Sequence, residues 1–443
     1  MRVYEYTTVT ICDSEYPGLS DSDIRELTAI NAEMRLNGTI NTNFFKWIGQ
    51  NSIKFRHYVG FISLGEKSIE ILPKIFRPHN NLTENNNAAF DSFVKMLSYV
   101  MEINMEEYKD DYQILQEQNA GLLDIIIFFF VVSLKRAIRK GLLNKYEQRD
   151  IVSQYLNGKI ILERQLSTIV QTKLIQETYL HTSNTDLMKY FKTAISFFRS
   201  LTMKKFLKDE LKKLAKHFEE VDFIPNHELK SRNYSFDRLS SYLENAFLQS
   251  KFILNAVSFS STGHGKVRGV SILFDMNRIF ENFITDVIKR NTSSMFPIEE
   301  IPLIREQNYS KWLFQEREQK KLRPDIQIIG KFSGRSEVQI IDTKYKELDG
   351  KDIVNDDEHS PIITDLYQMF AYSTKYMAAN TVILYPSAKS GCKYYNSFSP
   401  NRKFMLWGVN LNLAGSKWEE TLVNDLHDMM AIFYREDSFR SCR

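Results

Sequence analysis

The residues best suited to chemistry lie in the last third of the chain. There Leu322-Arg323-Pro324-Asp325-Ile326 is followed, after a short gap, by Ile340-Ile341-Asp342-Thr343-Lys344-Tyr345-Lys346. Pro-Asp and Asp-x-Lys are each common by themselves. Together, on two neighbouring β-prone runs, they can be placed in space. Residues 325–329 and 338–341 are short and β-branched, and Phe332-Ser333-Gly334-Arg335 between them reads as a turn. With Ser333-Gly334 as a two-residue loop, residue 332 pairs with 335, 331 with 336, and finally Asp325 with Asp342. Like charges facing each other destabilise a strand pair. A divalent cation held by oxygen ligands is the natural relief. Lys344 shares that face, because side chains alternate with a period of two. Two acids and a lysine converging around a cation are equipped to hydrolyse a phosphodiester bond.

Such a set resembles the PD-(D/E)xK nucleases. That likeness implies Mg²⁺ held by Asp325, Asp342 and the carbonyl of Thr343, with Lys344 orienting water or steadying developing negative charge. Downstream, Gln368 and Tyr372 are i,i+4 neighbours on one face of a helical stretch. A Gln-x-x-x-Tyr pair after the Asp-x-Lys strand resembles RecB-like nucleases, in which polar groups of that helix help orient the site and the DNA strand. The alternative is an ordinary amphipathic helix with a half-buried tyrosine. Upstream, Glu281 in Phe280-Glu281-Asn282-Phe283 is either a further carboxylate for the metal or a surface acid.

These residues need a scaffold, and the chain is long enough to supply several domains. Its 443 residues are 43% hydrophobic and 26% charged, with 31 Phe and 22 Tyr to fill large cores. A formal charge of +3 neither announces nor excludes a nucleic-acid partner. Cys12, Cys392 and Cys442 are scattered without metal-ligand spacing, which fits a reducing cytoplasm. The longest apolar run, Ile125–Val132, is far below the roughly 20 residues of a membrane-spanning helix and reads as buried core; no membrane role is expected.

Strand patterns dominate residues 1–90. Val3–Ile11 is one such run, Asp13–Ser22 has turn chemistry, and residues 55–64 pair with 68–72 through Gly65-Glu66-Lys67. Asn80–Asn87 reads as an exposed polar connection. Residues 91–265 are mainly helical by periodicity, with a break at Asn157-Gly158 before Lys159-Ile160-Ile161-Leu162, a short stretch that reads as a strand or a β-turn extension. Small residues at 260–265 mark a boundary. Residues 266–443 then order as helix, strands, helix and strands, an α/β unit with a mixed central sheet. Gly263-His264-Gly265-Lys266 lacks the spacing of a phosphate loop, and Val267 stands where a hydroxyl is required. The fold class expected is therefore multidomain α+β: a strand-rich front, a helical middle and a C-terminal α/β nuclease-like domain.

Five blocks in order resemble the McrC family, the nuclease subunits of McrBC-type modification-dependent restriction systems. They are Tyr58-Val59-Gly60-Phe61-Ile62 with Ile69-Glu70-Ile71-Leu72-Pro73-Lys74-Ile75, then Leu156-Asn157-Gly158-Lys159-Ile160, Leu273–Glu281, Arg323-Pro324-Asp325 and Asp342–Lys346. The resemblance implies a C-terminal PD-(D/E)xK domain whose catalytic residues fall on Asp325, Asp342 and Lys344. It also implies an N-terminal part that docks on a hexameric McrB-like AAA+ GTPase and stimulates it. That partner, and not the nuclease, would read modified DNA. Residues 181–190 depart from the family pattern. Two rival readings remain: a stand-alone RecB-like repair nuclease, and a non-catalytic adaptor that activates a GTPase.

Overall fold

The computed structural model describes residues 1–11, 19–64, 67–76, 84–118, 120–167, 172–261, 268–296, 301–306, 310–314, 319–332, 335–346, 362–387, 389–413 and 417–434. They form two compact units, one joining Met1–Glu102 to Ser258–Arg443 and the other made of Ile103–Val257. The three consecutive regions expected from the sequence cut the chain differently, because a strand late in the chain completes a sheet begun near its start.

The run expected as one strand is two, β1 (Arg2–Tyr4) and β2 (Thr8–Thr10), and Tyr6 turns the chain between them at φ 60°. The turn expected over Asp13–Ser22 lies mostly outside the described residues, and the next element is a helix, Asp21–Leu36. Its start is written locally. Ser20 and Asp23 cap each other reciprocally, and Ile24, Leu27, Ile30 and Met34 are buried at helical steps. Strands β3 (Phe45–Trp47) and β4 (Ser52–Phe55) pair antiparallel. β5 (Tyr58–Leu64) and β6 (Lys67–Leu72) form the expected hairpin, with Leu64 opposite Lys67. Within the Asn-rich stretch, residues 80–83 lie outside the described residues. From Glu84 onward the chain is already in the helix Glu84–Val100, so an exposed connection through Asn87 is not what forms.

In the second unit the helix Leu122–Ile138 carries the apolar run Ile125–Val132, buried throughout. Among the described residues no helix is long and apolar enough to cross a membrane. Helices Asp186–Leu201, Lys205–Lys216 and Glu244–Ala256 belong to the same unit. A sheet is present that helical periodicity did not announce. β7 (Lys145–Ser153) pairs antiparallel with β9 (Leu174–Thr182) along their whole length, and β8 (Lys159–Ile160) flanks β9. β7 buries neither face, so its residues show no apolar alternation to read. The glycine of Asn157-Gly158 has a steric reason. A Cβ there would stand 2.1 Å from the carbonyl oxygen of Glu177, while both amides of the pair donate to Gln176 Oε1.

The chain then returns through β10 (Val257–Ser261) and β11 (Arg268–Asp275), which complete the first sheet in the order β1-β6-β5-β11-β10. Gly60 of β5 lets β11 pass, since a Cβ would meet Ile272 O at 2.0 Å. Asp275 caps the helix Met276–Arg290. Next come β12 (Leu303–Glu306), β13 (Lys311–Phe314), β14 (Gln319–Leu322), β15 (Ile326–Phe332) and β16 (Arg335–Thr343). The helix Ile363–Tyr376, β17 (Asn380–Ser387), β18 (Gly391–Ser399), β19 (Arg402–Asn410) and the helix Trp418–Tyr434 close the unit. The second sheet runs β12-β15-β16-β17-β19-β18 and is mixed, with β16, β17 and β19 parallel and the other pairings antiparallel.

Candidate active site

β15 and β16 pair in the register read from the sequence, Phe332 opposite Arg335 and Ile326 opposite Ile341. The loop residues Ser333-Gly334 lie outside the described residues. Asp325 stands one residue before β15 and Asp342 one before the end of β16, so the hairpin brings both acids to one place.

Each is held differently. Asp325 Oδ2 accepts two hydrogen bonds from Thr343, one from its amide and one from Oγ1, both 2.8 Å long. Asp342 is 1% exposed and forms an ion pair with the Lys344 ammonium. Burial, then the charge of Asp325, pushes the Asp342 carboxyl up to about 7, against the pull of Lys344. For Lys344, burial favours the neutral amine, but Asp342, Asp325 and Asp365 outweigh it and hold the pKa above that of an ordinary lysine. Glu281, on the helix Met276–Arg290, belongs to the same electrostatic cluster. Burial, then Asp325 and Asp342, raises its carboxyl to about 7. A cleft of about 330 Å³ opens here, lined by Glu281, Asp286, Glu306 and Asp325 among others.

Gln368 and Tyr372 do share a helix face. Gln368 Nε2 donates to Tyr372 Oη at 2.7 Å, and Tyr372 Oη donates to the carbonyl of Arg323 at 2.9 Å. One turn on, Tyr376 Oη donates to the carbonyl of Leu322 at 2.7 Å. The helix thus grips the backbone that delivers Pro324-Asp325. Tyr372 is buried, and burial followed by the charges of Asp342 and Asp325 pushes its phenol pKa up. Lys346, to which the sequence assigns no role, donates to the buried carboxylate of Asp365 at 2.8 Å. Lys74 likewise reaches the segment just beyond the site strand, donating to the carbonyl of Tyr345. A charge flanked by Pro73 and Ile75 is the one local signal that could have marked it.

The donors suit a hard divalent cation: two buried carboxylates, of which Asp342 is made harder to ionise by burial and by the charge of Asp325. Among the described residues, however, no group of three or more His, Cys, Asp or Glu side chains is arranged to hold an ion. The fit therefore rests on Asp325 and Asp342, with backbone oxygen, and Glu281 feels the charge of both.

A family model described as the McrBC 5-methylcytosine restriction system component matches residues 53–386, well over half of the chain. The chain belongs to this family. The matched span of this McrBC component runs from β4 to β17 and includes Asp325, Asp342 and Lys344. Among solved structures, the chain is similar to one in the refined half-complex from the tetradecameric assembly of Thermococcus gammatolerans McrB AAA+ hexamers with bound McrC. The identity is 19%, the match covers 97% of this chain and 99% of that one, and the TM-score is 0.68. A cryo-EM structure of the Thermococcus gammatolerans McrBC complex matches at 21% identity over 66% of this chain and 87% of that one, with a TM-score of 0.47. At that identity the first match speaks for the fold of this McrBC component. No curated protein matches the chain.

Proposed function

We propose that this chain is the DNA-cleaving subunit of a cytoplasmic McrBC-type restriction system, a PD-(D/E)xK endonuclease that docks on and stimulates a separate hexameric AAA+ GTPase. The observation that carries the reading is one electrostatic cluster of Asp325, Asp342, Lys344 and Glu281, with Asp325 and Glu281 lining the cleft, within a chain of this family.

Asp325, Asp342 and the Thr343 carbonyl would hold Mg²⁺, which supplies a Lewis acid for the scissile phosphate and offsets the charge of its own ligands. The protein's groups do the rest. Thr343 orients Asp325 through two hydrogen bonds. Lys344, kept charged by its acidic neighbours, faces the negative charge that develops as the bond breaks. Gln368 and Tyr372 act at one remove, by fixing the Arg323 carbonyl.

The second unit supports the docking role. Tyr146, Val152, Tyr155, Leu156 and Tyr179, on and beside β7 and β9, are exposed, as are Leu162 and Leu166 of the short helix Leu162–Leu166. So many exposed apolar side chains in one small region mark a surface built for a protein partner. In the Thermococcus assembly the partner is an AAA+ hexamer of McrB, and a McrB-like GTPase is the partner proposed for this chain.

The test mixes purified chain, the GTPase of its own system, GTP, Mg²⁺ and methylated double-stranded DNA. Cleavage lost on chelation and in Asp342→Ala is the expected result. Stimulated GTP hydrolysis without any cleavage would leave the adaptor reading in its place, and cleavage independent of the GTPase would leave the stand-alone nuclease.

A further inference from the structure

The block Leu72-Pro73-Lys74-Ile75 has no part in the function proposed above, yet its lysine is 6% exposed. A buried ammonium persists only where its charge is met. Here Nζ donates to the carbonyl of Tyr345 at 3.1 Å and lies 4.5 Å from the ring centroid of Tyr6 and 4.8 Å from that of Tyr345. Its own amide donates to Oε1 of the fully buried Glu5 at 2.9 Å. Tyr6, with φ 60°, belongs to the turn that β1 and β2 flank.

The target of that ammonium matters more than its burial. Tyr345 lies between Lys344, which meets Asp342, and Lys346, which meets Asp365. β16 ends at Thr343, and its bonding to β17 stops with the Lys344 amide, which donates to Leu384 O at 2.8 Å. Beyond it other contacts set the path, and the Lys346 amide donates to Lys344 O at 2.8 Å. The Tyr345 ring packs 5.8 Å from that of Phe280, the neighbour of Glu281. Lys74 donates to the Tyr345 carbonyl itself.

We propose that Lys74 is a positioning residue of the hydrolytic site: its ammonium, lying against the rings of Tyr6 and Tyr345, holds the Tyr345 carbonyl and so sets the backbone from which Lys344 reaches Asp342. The first sheet is then part of the nuclease scaffold as well as of any docking region. A compact ammonium suits the narrow space between two rings, whereas the planar fork of arginine does not substitute for it fully. The proposal rests on the nuclease reading for its activity arm and on geometry alone for its second arm.

The experiment uses the full chain with its GTPase partner, Mg²⁺ and methylated DNA, and compares wild type, Lys74→Met, Lys74→Arg, Tyr6→Leu and Asp342→Ala. Lys74→Met is expected to slow single-turnover cleavage by about 10- to 100-fold, as misplacement of a reacting group does. DNA affinity and stimulated GTP hydrolysis stay near wild type, and Lys74→Arg rescues partly. In the same samples, hydrogen exchange at the amides of 344–346 is expected to quicken while β5 and β6 keep their protection. Tyr6→Leu should move both readouts in the same direction by less, and it replaces Lys74→Met should that variant not fold. Wild-type cleavage together with unchanged exchange at 344–346 overturns the proposal. If the wild type does not cleave at all, the nuclease reading falls, and exchange at 344–346 alone decides the role of Lys74.

Discussion

The β15–β16 hairpin and the β7–β9 hairpin invert the usual distribution of side chains in opposite ways. The first buries charge: Asp325 and Asp342 are at most 9% exposed, and Gln327, Gln339 and Thr343 are buried with them. The second exposes apolar surface, with Tyr146, Tyr155 and Tyr179 all more than 60% exposed. Ordinary cores do neither. A buried carboxylate needs a counter-charge, a bound cation or a proton, and Asp342 has the Lys344 ammonium beside it. A strand pair held by backbone bonding, and burying neither face of β7, leaves apolar side chains on its surface. In the function proposed above, the first hairpin serves chemistry and the second contact.

Substitutions that separate the two give the sharpest tests. Asp342→Ala removes a carboxylate that the site requires, and DNA cleavage should fall at least about 1000-fold while GTPase stimulation is kept, since loss of a metal ligand removes most of the charge stabilisation. Retained cleavage would detach the β15–β16 hairpin from the chemistry. Lys344→Met preserves the stem and deletes the charge. Its cleavage rate should fall by about 100- to 1000-fold, comparable to removing one donor to a developing oxyanion. Circular dichroism and urea unfolding should show an intact fold; a collapsed one would make Lys344 a structural ion-pair partner.

Proton linkage probes the first hairpin without DNA. Asp342 has its carboxyl raised from 3.8 to about 7. The folded state therefore holds more protons than the unfolded chain across that interval, and stability must fall as pH rises from about 4 to about 7. In chelator, the loss should be about 1–3 kcal/mol by urea unfolding and should shrink in Asp342→Asn. Asp425, raised to about 6 by burial, contributes the same sign outside the site and accounts for part of the slope that remains. A flat profile in the wild type would mean that Asp342 is already compensated. The smallest effect belongs to the second hairpin. Tyr155→Ser with Leu166→Ser should weaken GTPase binding by about tenfold, as loss of exposed apolar anchors does. Stability should stay within about 0.5 kcal/mol, because both sites are exposed. Unchanged affinity would move the docking surface elsewhere.

The site is more legible in the residue order than the scaffold is. A two-residue loop leaves a hairpin no freedom of register, so Ser333-Gly334 alone puts Asp325 opposite Asp342, and parity adds Lys344. Helical spacing places Gln368 beside Tyr372. The helix Asp21–Leu36 has local signals as plain as these, in Ser20, Asp23 and the Ile24-Leu27-Ile30-Met34 steps, but the turn chemistry just before it masks them. β7 is illegible for a different reason. Periodicity reports burial, and a strand exposed on both sides has none to report.

Other features depend on residues far apart in the chain. The order β5-β11 joins residues 58–64 to 268–275, so a cut at 265 would strip β5 of a neighbour, and no local pattern marks that dependence. Lys74 meets Tyr345 across 271 positions. Local propensity and alternation act over a few residues at a time, and they settle hairpins, caps and helix faces. Which buried carbonyl a distant lysine meets, and how a carboxylate's pKa responds to acids on other elements, are decided where packed segments meet, because burial and Coulomb energies depend on distance in space and not along the chain.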